Sequence, residues 1–194
     1  ISNDKKTIQT TQAALEEPVE NGYLEFQKQL SPSDLRMGPG KSLKGVELVE
    51  NPVYDFSYQL TNVVLYDADG NMSTTTDQIL ANGFVNFNDL FDIKLNIQNR
   101  KLNYFLFQNT VTDNSQIEIS SKTSVSNIYE VKTIWSKKFK AILIGFIPLP
   151  PPLPPIPVYV TPQIEVNVGI DGNVSVSTTS VMQTASFTAR SEER

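Results

Sequence analysis

The chain has 194 residues, with 16 Lys and Arg against 21 Asp and Glu, a net charge of −5, and neither Cys nor His. Without imidazoles and thiols there is no Ser-His-Asp triad, no Cys nucleophile, no thiolate or imidazole zinc site and no His- or Cys-ligated haem. The acidic balance argues against a nucleic-acid partner, which needs clustered Lys and Arg.

Hydrophobic residues make up 39% and charged residues 19%, enough for a real core beneath a surface of Ser, Thr, Asn and Gln. That surface suits β-structure better than helices. Residues 1–21 are polar and aperiodic, and a flexible segment is expected, in which "TQAALEE" (Thr11 to Glu17) forms at most a short helix before Pro18. The opening "ISNDKKTIQT" lacks the basic and apolar regions of a leader, so a signal is expected to have been removed or never to have existed, and the start on Ile rather than Met suggests a processed or trimmed chain. No run approaches the roughly 18 apolar residues of a membrane helix.

An antiparallel β-domain is expected over residues 22–146. "GYLEFQKQL" (Gly22 to Leu30) is its first strand, followed by turn chemistry in which Ser33 caps one helical turn. The two-residue period then takes over. Phe91, Ile93, Leu95 and Ile97 alternate with Asp92, Lys94, Asn96 and Gln98, which predicts a half-buried strand. Asn99 and Arg100 separate it from "KLNYFLFQN", and two β-runs joined by a short polar break read as a hairpin. Further strands are expected in "SQIEISSKTSVSNIYEVKTIW" (Ser115 to Trp135) and "KFKAILIGF" (Lys138 to Phe146).

"IGFIPLPPPLPPIPVYVTP" (Ile144 to Pro162) holds eight of the twelve prolines. At the three-residue period of polyproline II two of its edges are apolar, which predicts a packed strap over residues 147–157 crossing between strands, with Leu153 and Ile156 against the sheet. A PxxP ligand for an SH3-like domain is the rival reading, with Lys140 as the nearest basic residue; an exposed stalk is another. Residues 158–194 are expected to form a long hairpin. Ile164, Val166, Val168 and Ile170 alternate with polar residues, and Asp171-Gly172-Asn173 is a strong local turn signal. The fold class is therefore all-β: an antiparallel β-sandwich or barrel-like module with a packed polyproline crossover and a long C-terminal β-hairpin.

Candidate sites are few. "DADGN" (Asp67 to Asn71) resembles the start of a calcium loop, but the EF-hand Glu at position twelve is replaced by Gln78. Asp67, Asp69 and Asn71, with Asp77 near, remain candidate Ca²⁺ ligands against the plainer reading of a turn capped by its own side chains. Asn71 and Asn173 also head Asn-X-Ser sequons. Asp92, Glu118, Glu130 and Glu165 are the carboxylates a glycosidase would need, and all sit at positions that normally face water. Among the aromatics, Trp135 and Tyr129 are the candidates for a sugar-stacking surface, Trp135 because it precedes "SKK" where a strand meets a loop.

The expectation is a non-catalytic extracellular or cell-surface module for adhesion, surface structure or carbohydrate binding, with a protein or polysaccharide surface as partner. The alternative is a pore-forming or self-assembling protein that inserts the C-terminal hairpin, and only then is a membrane a partner.

Overall fold

The computed structural model describes residues 19–38, 40–176 and 178–193. The expected flexible N-terminal segment and the short helix at Thr11 to Glu17 fall almost wholly outside the described residues. Eleven strands follow in chain order: β1 (Asn21–Gln29), β2 (Lys41–Ser42), β3 (Val46–Leu48), β4 (Phe56–Asp67), β5 (Gln78–Gln98), β6 (Lys101–Ser121), β7 (Val125–Lys138), β8 (Ile142–Ile147), β9 (Ile156–Val160), β10 (Gln163–Val174) and β11 (Thr178–Glu193). A 3-10 turn, Pro32–Asp34, takes Ser31 as its cap rather than Ser33, because Pro32 opens the turn where no N–H is needed.

The centre of the fold is the β5–β6 hairpin, two strands of 21 residues each. Asn99 and Arg100 both have positive φ, 52° and 60°, as a two-residue type I′ connection requires. Their amides are satisfied from outside the turn, Arg100 N donating to the Glu20 carbonyl at 2.9 Å and Asn99 N to Asn21 Oδ1 at 3.2 Å. β5 runs unbroken through Gly83, where φ is +125° and a Cβ would stand 2.1 Å from the Gln116 carbonyl oxygen. Only glycine lets the two long strands stay in register there.

One edge of β5 pairs with β6 throughout; the other is shared, Gln78 to Phe87 with β4 and Leu90 to Gln98 with β1. β3 extends β4 and β11 extends β6, giving a six-stranded antiparallel sheet. Among the described residues there are also a three-stranded sheet, β10-β7-β2, and a two-stranded one, β8-β9. The sheets pack in a sandwich-like manner without closing into a barrel. The inward face of β5 supplies Ile79, Ala81, Val85, Phe87, Phe91, Ile93, Leu95 and Ile97, all buried. Phe56 stacks on Phe87 at 5.1 Å and meets Phe139 edge-on at 5.9 Å; each such side chain contributes about 1.5–3 kcal/mol by burial.

Two expectations are corrected by the pairing. β10 and β11 do not form a hairpin with each other: β10 pairs with β7 and β11 with β6, in different sheets. Asp171-Gly172-Asn173 does not turn the chain, because β10 continues through it. Gly172 takes φ +111° at a register shift before Val174, and Asn173 Oδ1 accepts the Asn127 amide at 2.8 Å, so the turn chemistry is used in a bulge.

The proline stretch is likewise not a packed crossover strap. β8 and β9 pair antiparallel, Phe146 opposite Pro157 and Ile147 opposite Ile156, so Pro148 to Pro155 forms the loop of a hairpin. Leu153 is 58% exposed at its tip. The residues that pack are Ile147, fully buried, and the half-buried Leu149, Ile156 and Val158. The strand period of two places them inward, whereas the expectation rested on a period of three.

Candidate functional site

The β4–β5 connection gathers the acidic loop. Asp67 ends β4, Asp69 and Asp77 follow, and one carboxylate oxygen from each lies within 4.8 Å of the others. Asp69 Oδ1 accepts the Asn71 amide at 2.7 Å, the Thr74 hydroxyl bonds both Asp69 oxygens, and Asp69 N donates to Asp77 Oδ2 at 3.1 Å. The Asn71 amide, helped by the Thr74 hydroxyl, holds the Asp69 carboxyl below the ordinary carboxylate range. Asn71 also serves the loop's own backbone. Its Oδ1 accepts the Ser73 amide at 3.1 Å in a local turn, and Asp77 joins Asp67 and Asp69 in the cluster. Gln78, at the position of the EF-hand glutamate, donates Nε2 to Asp67 Oδ2 at 2.8 Å and so acts as a donor.

Asp67 Oδ1 and Asp77 Oδ1 are both shielded from solvent and without a hydrogen-bond partner. Among the described residues no Lys or Arg forms an ion pair with any of the three carboxylates. Two oxygens on opposite sides of a calcium ion, each at about 2.3–2.6 Å, are about 5 Å apart, so these oxygens fit one coordination shell. The residues present therefore suit a hard divalent cation.

The aromatic expectation divides. Trp135 is 7% exposed and its ring lies 4.8 Å from that of Tyr58 in the core, so it is no surface platform. A bulge explains the error. Val166 pairs with Trp135 but Asn167 with Thr133, so Ile134 is the extra residue, and Ile134 and Trp135 are both buried where strict alternation would expose one. Tyr129 is 77% exposed, opposite Asp171 and two residues from Val131, which is 55% exposed.

One surface was not legible as a motif. A groove of about 400 Å³ beside β2 and the end of β7 is lined by Arg36, Lys41, Lys137 and Lys138, with Ser136 and Gln163 among the polar groups and no carboxylate. Pairing assembles it: Lys41 stands opposite Ser136, and Arg36 N donates to the Lys138 carbonyl at 3.0 Å. None of the four cations has an ion-pair partner among the described residues. Only the "SKK" of Ser136 to Lys138 hinted at it; the other two cations lie about a hundred positions away in the chain.

Fold and sites define the class of protein as an antiparallel β-sandwich carrying an acidic turn at one place and a cationic groove at another. Compared with family models, curated proteins and solved structures, the chain shows no match.

Proposed function

We propose that the chain is a non-catalytic cell-surface or extracellular β-module that adheres to an anionic polysaccharide through the cationic groove, with the acidic turn as a calcium site that stiffens the β4–β5 connection. The observation that carries this reading is charge segregation. On a chain of net charge −5, four cations line one groove with no ion pair among the described residues, Glu165 touching only Ser136 and Gln163 at its rim, and such a groove attracts carboxylated or sulfated polymers over neutral ones. Guanidinium and ammonium groups flanking Ser136 and Gln163 supply the charge-assisted and neutral hydrogen bonds that uronate or sulfate groups take. Millimolar calcium, usual outside cells, suits a site with only three protein carboxylates.

The test is a panel of acidic and neutral polysaccharides, probed with and without Ca²⁺ at two salt concentrations. Binding confined to acidic polymers, weakened by salt and lost in K137Q/K138Q, supports the reading; equal binding to neutral polymers, or none, sinks it. Membrane insertion by residues 158–189 would require β10 and β11 to leave β7 and β6 and pair with each other, and a liposome-leakage assay tests it.

A further inference from the structure

The sandwich is open along β10. That strand is the last of its sheet, and between its first half and the inward face of β5 and β6 lies a cleft of about 400 Å³. Half of its lining residues are apolar, Phe87, Val111, Ile117 and Val166 among them, and no Lys or Arg lines it.

Carboxylates line the same cleft. Asp89 projects from β5 on the face that carries Val85, Phe87 and Phe91, a row otherwise apolar, and it is only 4% exposed. Asn109 gives its carboxylate a side-chain hydrogen bond, while Asp89 Oδ1 has no partner. Asp113 of β6, opposite Phe87, lines the cleft from the same face and takes the Ser115 hydroxyl on Oδ1. Glu165 adds a third carboxyl at the β10 edge, where Gln163 Nε2 donates to it at 2.8 Å. A valine at position 89 would complete the apolar row. A desolvated carboxylate with Oδ1 unpartnered remains unfavourable there until a cation meets it.

We infer that this cleft binds a small alkylammonium ion, its head group against Asp89 with Asp113 beside it and its hydrocarbon stem along Phe87, Val111 and Val166. The chemistry selects this class over others. The three carboxyls do not converge as those of the acidic turn do, an anion would meet all three, and a neutral alkane chain would leave Asp89 unpartnered. The inference does not rest on the acidic turn, and it meets the cationic groove only at Gln163, which lines both and donates to Glu165.

The deciding experiment is a calorimetric titration of the full chain at neutral pH with n-hexylammonium chloride, with hexanol and hexanoate as controls. Saturable binding of hexylammonium is expected, with hexanol and hexanoate weaker by at least about tenfold. D89N should lose the binding while keeping the circular dichroism and melting transition of a folded β-protein. Equal affinity for hexanol, unchanged binding by D89N, or no saturable binding of the amine at millimolar concentration would each overturn the inference. If D89N does not fold, D113N decides the matter in the same titration: weakened binding supports the site and unchanged binding overturns it.

Discussion

The ring of Trp135 lies 4.8 Å from that of Tyr58, tilted by 43°, and through this pair β7 of the three-stranded sheet is fastened to β4 of the six-stranded one. Removing the indole leaves a cavity between the sheets, so Trp135→Ala is expected to lower stability by about 3–5 kcal/mol. Tyr58→Phe should act the other way. The Tyr58 hydroxyl is buried without a partner, so deleting it is expected to raise stability by about 1 kcal/mol. Urea unfolding of both variants measures the two effects; a surface role for Trp135 would instead leave W135A near the wild type.

Calcium is expected to raise the melting temperature. At a hundredfold excess over the dissociation constant the gain is about 2.7 kcal/mol, and chelator should reverse it. D69N and D77N each remove one converging carboxylate and should abolish the calcium-dependent shift, whereas N71A should keep most of it because Asn71 serves the turn's own backbone. Scanning calorimetry with Ca²⁺ and then EDTA reads all three. A shift that depends on Asn71 and not on Asp77 would assign the ligands otherwise.

Within the proline hairpin the two-residue period gives a sharp contrast. Leu153→Ser, at the exposed tip, is expected to change stability by less than about 0.5 kcal/mol. Ile147→Ala, on a fully buried side chain, should lose about 2–4 kcal/mol. Equal losses at both positions would restore a strap packed along its whole length.

Acid and base separate the role of Asp89 in stability. Burial pushes its carboxyl up to about 6 from 3.8, partly offset by the Asn109 hydrogen bond. Between these values the folded chain holds a proton that the unfolded chain has released, so stability falls as pH rises from about 4 to 6. Well above pH 6 the full penalty, about 3 kcal/mol, is present. D89N should therefore be more stable than the wild type by about that much at pH 8 and indistinguishable from it at pH 3.5. Chemical denaturation at the two pH values checks the sign; a variant destabilised at both would mean that hydrogen bonding to the carboxyl outweighs its burial.

What the sequence by itself determined is what neighbours in the chain decide. The alternation of Phe91 to Ile97 marked the buried face of β5, and the polar pair Asn99 and Arg100 marked the β5–β6 turn. The absence of His and Cys excluded their chemistry outright. The acidic turn was visible because Asp67, Asp69 and Asp77 fall within eleven residues.

Tertiary structure decided whatever depended on a distant partner. The alternation of β10 is equally satisfied by a return strand or by β7, and the choice of β7 made Asp171-Gly172-Asn173 a bulge. A one-residue bulge at Ile134 reversed the side of Trp135, since an added residue shifts the two-residue period by one face. Lys41 joined Lys137 and Lys138 only through strand pairing. The two-residue period sets Asp89 in step with Phe87 and Phe91 and Asp92 out of step, but only the facing sheet left Asp89 4% exposed, while Asp92 lies beside Lys94. Periodicity says which side chains share a face, but burial and charge are set by what another part of the chain lays against that face.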